Sequence, residues 1–289
     1  MESYCKFLDK HSNETDSTAK NQVHQVFGSV AEMYHKYRQP YPDELITDAV
    51  NQSPLLQTTD SDDGQRPHIL ELGCGPATLS LPLLQRGFQV TGIDPGAGMI
   101  PLAKELCKEY VASGQAEFVE STFANFATDV QYDAIIAANS FHWAMAEPDP
   151  QALRERLHSL LKPKGTLILF WNISELDAPI RDAIANALNE TPHSGEDGLR
   201  MFKAKLMDPL EEAGLFTPFT TASAQVVKDF EFEEYFGFVK TASTCIRMSS
   251  EEQEAYFHTI EGVLQKECPS KRLPVTFKSR VDVSTRIEK

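Results

Sequence analysis

The apolar positions of this chain fall into short strand-like runs, each followed by a stretch with helical spacing. "HILELG", His68 to Gly73, is β-branched and aliphatic, and "TLSLPLLQRG" behind it spaces its leucines as a helix does before Gly87. Strand, glycine turn and helix make the first half of a βαβ unit. "FQVTGID", Phe88 to Asp94, predicts a second strand, and "GMIPLAKELCKEYVASG" a second helix ending near Gly114. "AEFVES" is a third strand. "YDAIIAANS", Tyr132 to Ser140, is a fourth, apolar throughout as a strand covered on both faces of a parallel sheet must be. "DPQALRERLHSLLKPKG" predicts a helix stopped by Pro163 and Gly165, and "TLILFWN" a fifth strand. Further on, "PLEEAGLFTPF" reads as a helix and turn leading to a later strand, and "SSEEQEAYFHTIEGVLQKE" as an amphipathic helix. The alternation predicts a doubly wound α/β sheet.

Composition narrows what such a sheet can serve. The chain has 289 residues, of which 41% are hydrophobic, and no apolar stretch approaches the roughly 20 residues of a membrane span. The first twenty residues are polar and mixed in charge, which predicts a mobile tail rather than a secretory signal. Lys and Arg number 27 against 42 Asp and Glu, a net charge of -15 that repels a phosphate backbone, so neither nucleic acid nor a membrane is an expected partner. The five cysteines, Cys5, Cys74, Cys107, Cys245 and Cys268, are scattered and form no CxxC pair. They point to a reducing, cytoplasmic setting and away from a structural metal site. "LLQTTDSDDGQRP", Leu55 to Pro67, reads as a polar loop ahead of the first strand.

In a doubly wound sheet, ligands bind beyond the carboxyl ends of the strands. After strand one come Gly73, Cys74 and Gly75, where missing side chains let a ligand approach backbone amides. After strand two comes Asp94, 21 residues beyond Gly73, where an acid accepts from ribose hydroxyls. Together they indicate an adenosine-type cofactor. A dinucleotide fingerprint requires a third glycine where "GCGPAT" has Thr78, and Glu71, two residues before Gly73, is badly placed for a pyrophosphate. A negative charge there suits an ammonium or sulfonium instead. S-adenosylmethionine carries both, and a ribose.

"ELGCGPATLS" and "VTGIDPGAGMIPLAKE" resemble the glycine-rich first motif and acidic second motif of the class I S-adenosylmethionine-dependent methyltransferases. "YDAIIAANSFHWA" with "LLKPKGTLILFWN", the segment "AEMYHKYRQPYP" and the late "FVKTASTCIRMSSEEQ" and "LPVTFKSRVDVSTRIE" resemble a small-molecule subgroup, methyltransferase type 11-like, that includes trans-aconitate-type carboxyl methyltransferases. The resemblance runs from about residue 21 to the end. It implies a Rossmann-like seven-stranded sheet, mostly parallel with the last strand antiparallel, carrying helical cap insertions. One domain would span 21–289, with a core of about 43–172 plus strands near 225–231 and 274–287, and a cap from 21–42, 173–224 and 232–273. It implies S-adenosylmethionine as cofactor and S-adenosylhomocysteine as product. Glu71, Gly73, Cys74, Gly75 and Asn139 would surround the methionine moiety, Arg38 would bind its carboxylate, Asp94 would hold the ribose, and Pro95, Thr122 and Phe123 would lie against the adenine. Ala77 replaces a common third glycine, and the turn at Ser121 to Phe123 lacks the acid that relatives use for the adenine amino group.

The expected acceptor is a small anionic metabolite, methylated on a carboxylate oxygen or on the thioether sulfur of a small acid. Tyr34, Tyr37, His142, Trp143 and Trp171 would form its walls. A carboxylate or thioether attacks a sulfonium methyl without losing a proton; a hydroxyl or amine needs a base, and His142 is the candidate. Two other readings stay open at this stage: a nicotinamide-dependent oxidoreductase, and a non-catalytic scaffold that binds S-adenosylmethionine.

Overall fold

A computed structural model describes residues 30–57, 65–145, 149–192 and 195–288. The expected tail, and the part of the cap ahead of residue 30, lie outside these described residues. Two helices open the described chain, α1 (Ala31–Tyr37) and α2 (Asp43–Asn51). The alternating core follows: β1 (His68–Leu72), α3 (Ser80–Gln85), β2 (Gln89–Asp94), α4 (Met99–Leu106), α5 (Lys108–Ala112), β3 (Ala116–Glu120) and β4 (Tyr132–Ala138). Beyond it lie α6 (Phe141–Ala144), α7 (Pro150–Leu160) and the long β5 (Leu161–Leu176). The remainder comprises α8 (Ala178–Ala187), α9 (Gly195–Phe202), a π-helical turn at Lys203–Met207, α10 (Asp208–Glu212), β6 (Thr220–Glu231), α11 (Phe232–Lys240), α12 (Ser243–Ile246), α13 (Ser250–Glu267) and β7 (Arg272–Thr285).

The seven described strands form one sheet in the order β3-β2-β1-β4-β5-β7-β6. β1 to β5 are mutually parallel, and β7 runs antiparallel to both of its neighbours, β5 and β6. The order reverses at β1, which lies between β2 and β4, so the crevice for a ligand opens above the carboxyl ends of those strands. Alternation along each strand divides the core between the two faces. Leu70, Leu72, Ile135, Leu167 and Leu169 pack on one, while Ile69, Val90, Ile136, Ile168 and Phe170 pack on the other. A third cluster, around Phe230, Phe238 and Phe277, joins the cap helices to β6 and β7.

Three expected boundaries differ. The long second helix is broken at Cys107, a fully buried residue between α4 and α5 with φ -108° and ψ 23°. The helix before β5 ends at Leu160, ahead of Pro163, because Leu161 already pairs with Tyr132 of β4. Finally, β5 continues to Leu176 and β6 begins at Thr220, so both ends of the expected 173–224 insertion are strand. The cause is β7: its 14 residues offer partners on both sides, pairing Leu176 with Val275 and Thr220 with Val283, beyond the apolar runs that mark the strands in sequence. Among the described residues no helix is long and apolar enough to cross a membrane.

Candidate functional site

The floor of the crevice is backbone. Gly73 and Gly75 adopt φ of +67° and +53°, a region open to glycine at little cost. The Gly73 and Cys74 amides both donate to Ile93 O, at 2.8 and 3.0 Å, tying the turn to the end of β2. A side chain on Gly73 would collide with Ser140 Cβ, whose hydroxyl donates to Leu72 O. On Gly75 a Cβ would meet nothing within 4 Å, because this residue faces open space. Asp94 fastens the turn from the other side. Its Oδ2 accepts from Gly75 N at 2.9 Å and its Oδ1 from Gly96 N at 2.7 Å. Burial nevertheless pushes its carboxyl up to about 6, with those two amides opposing the rise.

Above this floor lies a cavity of about 350 Å³. One end is lined by Asp94, Pro95, Thr122 and Phe123, the middle by Gly73, Gly75, Asn139 and Arg38, and the far end by His142, Trp143, Trp171 and Phe202. Among its described lining residues Arg38 is the one Arg or Lys and Asp94 the one carboxylate. A smaller recess of about 40 Å³ under the turn holds Glu71, Cys74 and Thr78. Glu71 is fully buried there and accepts from Ser80 Oγ; desolvation raises its carboxyl to about 8. A carboxyl raised this far favours its protonated form at neutral pH.

Arg38 follows the last turn of α1. Its Nε and Nη2 donate to Thr241 Oγ1 and O, both at 2.9 Å, and its guanidinium lies 5.0 Å from the Tyr34 ring and 5.1 Å from the Phe238 ring. Packing against two rings fixes the fork and leaves Nη1 for a ligand. Asn139 sits at φ +54°, a left-handed conformation that asparagine tolerates. It accepts from Asn172 N at 2.9 Å and donates to Asn172 O at 3.3 Å, joining the ends of β4 and β5. The His142 ring stacks on Phe202 at 5.3 Å and tilts against Trp143 at 5.2 Å. Burial lowers its pKa to about 3, so the imidazole is neutral at physiological pH.

Tyr37 is a correction to the expected wall, because it does not line the cavity. Its ring lies over Gly237 of α11, where an added Cβ would come within 2.5 Å of Tyr37 Cζ; the missing side chain is its seat. Tyr34 and Arg38, one helical turn apart, line the cavity instead. Glu71 and Cys74 lie under the turn, in the recess. The residues that sequence reasoning missed are Asn172, Phe202, Ser140 and Ala242–Thr244 at the start of α12. Asn172 directly follows Trp171 at the end of a predicted strand and was within reach of the strand-end rule; Phe202 and the start of α12 carried no signal.

Residues 69–165 match the family described as a methyltransferase domain, a span that runs from β1 into β5. Within that span the chain resembles a methyltransferase domain. An uncharacterized methyltransferase of Mycobacterium tuberculosis is 29% identical over 147 residues, 50% of this chain and 51% of that protein. The chain thus spans about half the length of that curated relative. A trans-aconitate 2-methyltransferase of Enterobacter sp. is 35% identical over 101 residues, 34% of this chain and 36% of its own. The fold is similar to that of a type II methyltransferase from Anaeromyxobacter dehalogenans, with a TM-score of 0.56 at 17% identity over 86% of this chain and 97% of that one. The matched span supplies the floor of the cavity. Arg38, Trp171 and Phe202 lie outside it.

Proposed function

We propose that the protein transfers a methyl group from S-adenosylmethionine to a small-molecule acceptor. What carries the reading is the single cavity joining Asp94 and the open face of Gly75 to Arg38 and then to a ring-lined end. The residues present fit the cofactor: a carboxylate for the ribose hydroxyls at Asp94, a side-chain-free approach at Gly75, and the Nη1 of Arg38 for the methionine carboxylate. Glu71, under the turn, suits the ammonium, whose positive charge would favour the ionised carboxylate, and Pro95, Thr122 and Phe123 suit the adenine. When bound, the cofactor supplies a methyl on a sulfonium, which passes in line to the acceptor's lone pair while the C–S pair returns to sulfur, leaving S-adenosylhomocysteine. The chain's task is alignment and exclusion of water, with the described cap segments within 30–42, 177–219 and 232–271 as the roof of a single domain.

The acceptor in this reading is a small anionic metabolite that attacks through a carboxylate oxygen or a thioether sulfur. His142 supports it. An imidazole with a pKa near 3 takes up protons poorly, so acceptors that need none removed are favoured. The trans-aconitate 2-methyltransferase relative points the same way. One experiment tests both levels. Protein is incubated with methyl-labelled S-adenosylmethionine and a panel of small acids, thioethers, hydroxyls and amines, and labelled products are identified by mass. Labelled esters or sulfonium products are expected. Label confined to amines or hydroxyls would overturn the acceptor class, and binding without turnover anywhere would favour a scaffold. Tight binding of a nicotinamide dinucleotide in place of S-adenosylmethionine would overturn the reading altogether.

A further inference from the structure

The far end of the cavity is walled by rings, and one of them is held from outside. Trp171 and His142 lie nearly parallel to Phe202, at 14° and 16°, with centroids 5.0 and 5.3 Å from it. Trp171 belongs to β5 and Phe202 ends α9, so sheet and cap meet ring to ring. The indole Nε1 of Trp171 donates to Asp282 Oδ2 at 3.1 Å. Asp282, on β7, is fully buried and is not among the residues lining the cavity. Its carboxylate also accepts from Thr221 Oγ1 at 2.6 Å, Arg280 Nε at 2.8 Å and Arg280 Nη2 at 2.5 Å. A buried carboxylate with so many donors, one of them a charged fork, has a fixed orientation. It fixes the in-plane N–H of the indole in turn, and the ring cannot turn without breaking that bond.

Among the described residues lining the cavity, His142, Trp143, Trp171 and Phe202 meet ring to ring, and Arg38 and Asp94 are the charged ones. Flat aromatic walls select by shape. A conjugated body lies along them in full contact, whereas a saturated chain touches at a few points and loses rotamer freedom. We propose that this end is an acceptor subsite for a flat, conjugated small molecule, and that Asp282 is a positioning residue that sets the subsite through Trp171. The acceptor role rests on the methyl-transfer reading above.

Trp143 and Trp171 are the only two tryptophans of the chain, and both line this cavity. A Trp143→Phe protein therefore reports on Trp171 alone by its emission. Loaded with S-adenosylhomocysteine, it is titrated with sorbate and with hexanoate, acids of equal carbon count and charge of which only sorbate is conjugated. Sorbate is expected to bind about tenfold or more tightly than hexanoate. Adding Asp282→Asn is expected to shift Trp171 emission and reduce that preference to about threefold or less, with the affinity for S-adenosylhomocysteine held within about twofold. In a Trp171→Phe protein followed by calorimetry, Asp282→Asn should change the preference no further. Equal binding of the two acids, or a preference intact in Asp282→Asn, overturns the proposal. So does a parallel loss of affinity for both acids and for S-adenosylhomocysteine, which would mark Asp282 as merely structural. If Asp282→Asn does not fold, Trp171→Phe must itself lose the preference, and retention there overturns the proposal. Failure of S-adenosylhomocysteine to bind while sorbate is still preferred would remove the methyl-transfer reading and leave the flat subsite standing.

Discussion

The two ends of the cavity are made of different material. The floor is a glycine turn and a carboxylate whose oxygens are already engaged by Gly75 N and Gly96 N, all within 24 residues from Gly73 to Gly96. The ring-lined end takes His142 from α6, Trp171 from β5 and Phe202 from α9, held by stacking and by a carboxylate on β7. A floor of backbone cannot be altered without altering the fold. A wall of side chains can be re-cut for another acceptor while the sheet stays intact, and that division is what lets one scaffold keep its cofactor and change its substrate.

Substitutions can break this contrast. The largest effect is expected at Gly73→Ala, where a left-handed φ meets a collision with Ser140 Cβ: a loss of about 4 kcal/mol in urea unfolding, and cofactor binding lost with it. An intact fold in this variant would show that the floor is more pliable than its geometry indicates.

Glu71 is next, through pH. Its folded pKa of about 8 stands above the ordinary 4.5, so the folded chain keeps a proton that the unfolded chain has lost. The stability it contributes is complete below about 4.5 and declines as pH rises through 8, by about 2–3 kcal/mol once solvent relaxation is allowed for. Glu71→Gln should flatten the unfolding free energy between pH 5 and 8, a window taken from those values; an unchanged slope would exclude Glu71 as its source.

Arg38→Gln should weaken S-adenosylmethionine binding about tenfold in calorimetry and leave the acceptor's KM unchanged. If the acceptor's KM rises instead, the guanidinium belongs to the acceptor. At the wall, Phe202→Leu should raise the acceptor's KM several-fold, with cofactor affinity held within about twofold. Smallest of all, His142→Gln should leave kcat within about twofold at every pH, because a neutral imidazole with pKa near 3 is no base for this step. A lost limb in the pH profile would restore it as one.

The same contrast explains what the sequence made legible. Gly73, Gly75 and Asp94 could be read because a turn and an acid at strand ends are local patterns, and the five-strand alternation carried most of the fold. Tyr37 was misplaced because its seat, Gly237, lies 200 residues away in sequence. Phe202 and Asp282 were invisible for a related reason. Each gains its meaning only by meeting Trp171, and no spacing in the chain encodes that meeting. The lengths of β5 and β6 were underestimated because β7 extends them by pairing, not by composition.

β7 comes last of the seven described strands yet lies inside the sheet, between β5 and β6. During synthesis the amino-terminal βα units can pair as they emerge, but β6 has no place to dock until residues 272–285 have left the ribosome. Asp282 arrives with them, so the cofactor floor can form on the nascent chain well before the indole of Trp171 is fixed. In the proposed reading, the means of holding a methyl donor would form first, and the selectivity for an acceptor with β7.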